Sequence, residues 1–324
     1  MTQTKVFVTG ISGFIGSYLA ERLLDEGYQV AGLLRQTNRL NYPGVQRLMG
    51  RVDLHYGSVT DYHSIAQAFR DFQPDVICHL GAITPVAYSF SHPHEVTETN
   101  YTGVINIAEA ALKQLPDLQA MVFASSMEVY GYQDPAGPFD ETLEPHPACP
   151  YAVAKLASEK YLQYLQYAHE LPVVMLRQTN CYGRKENDYF IVERIITQML
   201  KDDVVNLGAK DPVRNFIFIT DLLDLYVELI GAVPREKDLH GQVFNTGPSN
   251  GLTIGDLAER IAEKLDWRGR INWNTIPKRP GEIFYLNSTP EKVAKALQWE
   301  PKVSLDDGLQ RTIDIWRENL DIRA

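Results

Sequence analysis

Thr9-Gly10-Ile11-Ser12-Gly13-Phe14-Ile15-Gly16 follows a short apolar run, Val6-Phe7-Val8, and opens a helical pattern at about 14–26. No other segment restricts the fold so strongly. Glycines at this spacing permit a tight turn, close approach of the backbone to a pyrophosphate, and close packing of a helix on a strand. An anion in such a turn meets backbone N–H groups at the positive end of the helix. The spacing alone is weak in a chain with 22 glycines; its strand-turn-helix setting gives it meaning. The loop predicts a dinucleotide phosphate site built from Gly10, Ser12, Gly13, Phe14, Ile15 and Gly16.

The rest of the first half agrees. Apolar runs at Val30–Leu34, Asp75–Leu80 and Met121–Ala124 read as buried strands, and helical patterns lie at about 61–72, 94–115 and 150–169. Val173–Arg177 adds a further strand. This alternation predicts an α/β protein with right-handed crossovers and a doubly wound parallel sheet of Rossmann type. After about residue 178 the pattern is less regular. Strands are expected at 215–219 and 242–245, helices at about 219–231, 253–266, 290–298 and 305–319, and a proline-rich loop at 275–281. The expected division is a dinucleotide-binding domain over 1–178 and about 215–248. A smaller, interleaved C-terminal substrate lobe takes 179–214 and 249–324.

The end of the second strand bears on the cofactor. An NAD site ordinarily places a carboxylate about 20 residues beyond the loop, on the ribose 2′-hydroxyl. Arg35 stands there with Arg39 nearby, and guanidinium suits a 2′-phosphate. NADP is therefore favoured, with NAD the alternative.

Tyr151-Ala152-Val153-Ala154-Lys155 puts a phenol and an ammonium on one helical face at i and i+4. Such a pair arises readily by chance. It gains weight from Ser125-Ser126-Met127-Glu128-Val129-Tyr130-Gly131, which follows a strand end, where doubly wound sheets place their chemistry.

With the glycine loop, these segments resemble the extended short-chain dehydrogenase/reductase family, the nucleotide-sugar epimerases and dehydratases. Arg177, Asn180, Gly183, Arg214-Asn215-Phe216, Arg279-Pro280-Gly281-Glu282 and the segment from Pro301 to Gly308 fit the same pattern in order, so the resemblance spans essentially the whole chain. Gly27–Arg35, Leu54–Gly57, Gln73–Asp75, Leu80–Ala82 and Pro150–Leu156 sharpen it toward the GDP-mannose 4,6-dehydratase and GDP-4-keto-6-deoxymannose reductase group. The resemblance implies that Tyr151 is the acid/base, that Lys155 and the oxidised nicotinamide ring together lower its pKa, that Lys155 holds the nicotinamide ribose, and that Ser126, rather than Ser125, orients the reacting oxygen. It implies that Ser58, Val59, Leu80, Gly81 and Ala82 complete the dinucleotide site. Thr84, Asn180, Arg184, Arg214, Arg279 and Glu282 join Ser126 in binding a nucleoside-diphosphate sugar, GDP-linked by preference.

Glu128 points to the reaction. A carboxylate beside a 4-ketosugar can remove the C5 proton, which leads to loss of water from C6, so a 4,6-dehydratase is expected. Met127 departs from the polar residue that dehydratases keep there, and a thioether donates no proton. A 4-epimerase and an NADPH-dependent 4-ketosugar reductase therefore stay open as alternatives. A non-catalytic dinucleotide-binding module is a minor one, because Ser126, Tyr151 and Lys155 are all present.

Composition narrows the partners. The formal charge of −10 argues against a nucleic-acid backbone, and no apolar run approaches a membrane span. A strand beginning at Lys5 leaves no room for a signal peptide, and Cys78, Cys149 and Cys181 form no paired motif, so a cytoplasmic protein with reduced thiols is expected. His92-Pro93-His94 lacks a third ligand, and no metal is expected. The helices at 94–115 and 150–169, the second rich in tyrosine, are those that relatives use to dimerise, so a homodimer is expected.

Overall fold

Val6, Phe7 and Val8 are wholly buried because the strand they form is covered on both faces. That strand, β1 (Lys5–Thr9), is an interior strand of a seven-stranded parallel sheet with β2 (Gln29–Leu34), β3 (Asp53–Tyr56), β4 (Val76–His79), β5 (Ala120–Ser126), β6 (Val173–Gln178) and β7 (Val243–Asn245). The order is β7-β6-β5-β4-β1-β2-β3. β1 pairs with β2 from Lys5↔Gln29 and with β4 from Val6↔Val76. The strand order thus reverses between β1 and β4, and ligands of open α/β sheets bind at such a reversal. The computed structural model describes residues 3–35, 42–133, 137–249 and 251–321.

On one face of the sheet, Phe7, Ile77, Met121, Phe123, Val173 and Met175 pack with Phe69 of helix Tyr62–Phe72, Ile107 of helix Gly103–Gln114, and Leu162 and Leu165 of helix Pro150–His169. Each fully buried phenylalanine contributes on the order of 2–3 kcal/mol. This packing fixes the long 150–169 helix, and with it the pair Tyr151 and Lys155.

The expected helix at 94–115 is interrupted. Pro93–Thr97 is α-helical, Glu98–Thr102 is a π-turn, and the α-helix resumes at Gly103. Asn100 is the cause. Its amide exchanges two bonds with the backbone of Ile83, at 2.7 and 2.8 Å, while its carbonyl accepts from Ser158 Oγ at 2.9 Å. Several elements lie beyond the sequence expectation, among them β3, which carries no apolar run because it is a half-exposed edge strand, and helix Ile191–Lys201, which falls where the pattern reads as irregular.

The chain divides into two compact units. One comprises 1–129, 149–177 and 223–244; the other comprises 130–148, 178–222 and 245–324. Local contacts account for two segments of the second unit. Phe139 donates to Asn287 and accepts from Thr289, which ties 130–148 into the second unit. Phe216–Phe218 pairs in parallel with Asn180–Tyr182, which draws 215–222 there as well. Elsewhere in that unit, Val213–Arg214 lies between Leu252–Thr253 and Tyr285–Leu286. Among the described residues no helix is long and apolar enough to cross a membrane.

Candidate active site

Helix Phe14–Asp25 starts at Gly13 without a side-chain cap and without an acid in its first turn. Its positive end is thus left for an outside anion. Gly10, at φ +71°, admits no side chain, since a Cβ would lie 2.8 Å from Gly81 N. At Gly16 a Cβ would collide with Gly10 O. The turns after β1 and β4 therefore close on one another, and Gly81 N–H donates to Thr9 Oγ1 at 3.0 Å. A glycine turn against Leu80 and Gly81, opening an uncapped helix, has the chemistry that suits a dinucleotide phosphate; Ser12, Phe14, Ile15 and Gly16 belong to the first turn, and Leu80, Gly81 and Ala82 to the second.

Val59 supports the same region. A Cβ on Gly81 or Gly103 would press on its side chain, and its carbonyl accepts from Asn106 Nδ2 at 3.0 Å. Ser58 is half-buried, with its hydroxyl 2.8 Å from Thr60 Oγ1. Arg35 is exposed just past β2, and Arg39 lies outside the described residues.

The chemistry lies at the end of β5. Ser126 Oγ accepts from Glu128 N–H at 3.2 Å and is hydrogen-bonded to the Tyr151 phenol. Glu128, on the 3₁₀ turn Met127–Tyr130, is half-buried and close enough for its charge to raise the Tyr151 pKa. The tyrosine is in the first turn of helix Pro150–His169, which begins after Cys149 with Pro150 at N1; Cys149 Sγ accepts from Ala152 N–H. Tyr151 belongs to a buried apolar cluster with Val96, Cys149 and Ala152, against which Ile83 and Val86 pack. Thr84, between Ile83 and Val86, is exposed. One turn on, Lys155 Nζ donates to the Ala124 carbonyl at 2.7 Å and lies 4.8 Å from the centre of the Phe123 ring. Ser126, Glu128, Tyr151 and Lys155 are thus brought to one strand end.

Burial pushes the Tyr151 phenol up, the Ser126 bond opposes that, and the Glu128 charge adds to it. Burial also pulls Lys155 down to about 7, against the favourable charge of Glu159. Both groups are out of water, where each charged form is disfavoured.

Two buried groups here were not anticipated. His79 is held by Thr9 Oγ1 at 2.6 Å on Nδ1, and burial together with Lys155 lowers its pKa to about 3. Glu159 accepts from Ser125 Oγ and pairs with Arg177 through both oxygens, at 2.8 and 3.1 Å. Ser125 and Ser126 therefore take different partners. The available signal was the i+4 spacing from Lys155 to Glu159 on the buried helix face.

The expected substrate residues lie in the second unit, apart from Thr84 and Ser126. Asn180 Nδ2 donates to Asn215 O at 3.2 Å. Arg214 donates to the carbonyls of Val213 and Ile283, each at 2.8 Å. Arg279 pairs with Glu282 at 2.8 Å; burial would raise that carboxyl, but the Arg279 bonds and the Arg214 charge hold it below its ordinary value. Arg184 is buried, bonded to Cys181 O, 3.5 Å from Glu193, and stacked on Phe190 at 4.0 Å. The backbone N–H groups of Gly183 and Arg184 also donate to Glu193. Among the described residues no three His, Cys, Asp or Glu side chains are grouped to hold a metal ion.

A family model described as GDP-mannose 4,6 dehydratase matches residues 7–312. The chain is 24% identical to dTDP-D-glucose 4,6-dehydratase of Homo sapiens, over 97% of this chain and 90% of the other. Among solved structures it is similar to UDP-glucose 4-epimerase of Thermotoga maritima with UDP-glucose, at 27% identity and TM-score 0.88, covering 98% of this chain and 100% of that one. It is also similar to UDP-glucose 4-epimerase of Thermus thermophilus in complex with NAD, at 29% identity and TM-score 0.86, covering 97% and 99%.

Proposed function

The chain belongs to the GDP-mannose 4,6-dehydratase family, within the nucleotide-sugar dehydratases and epimerases, and from that premise we propose that it is a nucleoside-diphosphate-hexose 4,6-dehydratase working through a 4-ketosugar. A nicotinamide dinucleotide held on the Gly10–Gly16 loop supplies a hydride acceptor that later returns the hydride. Tyr151 takes the proton of the C4 hydroxyl while the C4 hydride departs, and Ser126 orients that oxygen. The new ketone acidifies C5. Glu128 would then remove the C5 proton and pass it to the departing C6 hydroxyl, which leaves as water. Tyr151 would return the proton it took from the C4 hydroxyl to C5 as the stored hydride is given back at C6, so the net change would be loss of one water.

The observation that supports this reading is Glu128, a carboxylate whose backbone N–H donates to Ser126 and whose charge bears on Tyr151. Glu128→Gln tests it. The variant keeps the first hydride transfer, seen as reduced-nicotinamide absorbance on mixing with nucleotide sugar, and loses water elimination. Full elimination by that variant would refute the role.

Met127 favours a second reading, a 4-epimerase. Its side chain is 2% exposed and has no proton to offer a leaving hydroxyl. Arg35 supports NADP as the preferred cofactor, whereas relatives have been solved with NAD. The family description supports a GDP-linked sugar, held by Asn180, Arg214, Arg279 and Glu282, with Arg184 a further candidate. We place the protein in the cytoplasm, as a homodimer joined through the helix Pro150–His169.

A further inference from the structure

A buried row of polar side chains crosses the sheet beneath the 150–169 helix. Thr9, His79, Ser125, Lys155, Glu159 and Arg177 are each 4% exposed or less. Three of them are charged, and their arrangement is asymmetric. Glu159 is one helical turn beyond Lys155, as Lys155 is one turn beyond Tyr151. Both carboxylate oxygens are held by the Arg177 guanidinium, and one also accepts from Ser125.

Resting on the reading that Tyr151 and Lys155 perform the chemistry, we propose that Glu159, clamped by Arg177 and Ser125, is the positioning residue whose charge keeps Lys155 an ammonium beside Tyr151. A buried pair adds little stability over a well-packed apolar one, so stability alone is a weak reason for an ion pair at this place. Its location supplies a better one. Among the described residues Lys155 is bonded to no carboxylate, and it donates to the Ala124 carbonyl, a dipole rather than a charge. The groups tied to it are His79 from β4, Phe123 and Ala124 from β5, and Tyr151 and Glu159 from its own helix, with Arg177 of β6 and Ser125 of β5 bonded to Glu159. Of these only Glu159 is an anion. His79 stays neutral and supplies none. Arg177 and Ser125 bond the two oxygens of Glu159, which holds the carboxylate in one place on the helix turn after Lys155.

The consequence concerns Tyr151. An ammonium lowers a nearby phenol, whereas a neutral amine does not. Burial brings Lys155 to about 7, close to the point where the charge is lost. Without Glu159 the amine would be neutral over the working range, and Tyr151 would hold its proton.

Selective ¹³C labelling of lysine tests the proposal on the intact protein. The Lys155 Cε resonance, assigned by its absence from Lys155→Met, is followed as pH is raised. Glu159→Gln keeps an oxygen for Ser125 and removes the charge; its Lys155 midpoint should fall by about one pH unit or more. Glu159→Asp, which keeps the charge, should restore most of that shift while losing comparable thermal stability. If Glu159→Gln does not fold, the double variant Glu159→Gln/Arg177→Met removes the charge without orphaning the arginine, and the midpoint should again fall, by less. An unchanged midpoint in the folded variant overturns the proposal, whatever happens to stability. The measurement needs no turnover, so failure of every nucleotide sugar to react with the wild-type protein would count against the proposed function alone.

Discussion

The fate of two protons decides what this chain does, and each belongs to a side chain at the end of β5 or on the helix above it. Tyr151, buried and bonded to Ser126, is expected to carry the first. Tyr151→Phe keeps the ring in its apolar cluster with Val96 and Ala152 and removes only the hydroxyl. Hydride transfer should fall by about 10²–10⁴-fold in a single-turnover absorbance measurement, with dinucleotide affinity nearly unchanged. His79 yields a second prediction. Its folded pKa, about 3, is below the ordinary 6.5. The unfolded chain therefore binds the proton first as pH falls. The stability tied to the neutral imidazole is complete above about 6.5 and is lost progressively as pH falls toward 3. His79→Gln should flatten the fall of Tm between pH 6.5 and 4, and a Tm profile parallel to wild type would contradict the assignment.

At the scale of elements, the sequence is most legible where geometry admits few residues. The glycine loop was readable because a Cβ at Gly10 or Gly16 would meet backbone, so the spacing records the shape of the turn. Gly16→Ala should abolish measurable dinucleotide binding in calorimetry, because its Cβ is directed at Gly10 O. Buried strands showed as apolar runs for the same reason, and β3 did not, because an edge strand has only one face to hide. The π-turn at 98–102 was illegible. It depends on Asn100 reaching Ile83 and Ser158, contacts that no local periodicity encodes. Glu159 was missed in a similar way, since a glutamate on a helix reads as solvated until Arg177 from another strand is placed against it. Caps are the opposite case. Thr253 and Asp256 form a reciprocal capping box at the start of helix Ile254–Leu265. Thr253→Ala should cost about 1 kcal/mol, or about 2 °C in a thermal melt.

At the scale of the whole molecule, the account joins a dinucleotide cradle, a Ser-Tyr-Lys group with a second carboxylate, and a family match over residues 7–312. Tyr164 and Tyr167 stand 53% and 88% exposed on the 150–169 helix, more aromatic surface than one side of a packed helix leaves in water. Light scattering should give twice the chain mass, and Tyr164→Glu/Tyr167→Glu should return the single-chain value. The central claim is about chemistry. It is tested most directly by incubating the purified protein with GDP-, dTDP-, UDP- and CDP-hexoses and NADP or NAD, then weighing the nucleotide sugars by mass spectrometry. The account predicts a product lighter by one water. A product of unchanged mass but altered stereochemistry would contradict it and make Glu128 a substrate ligand rather than a base.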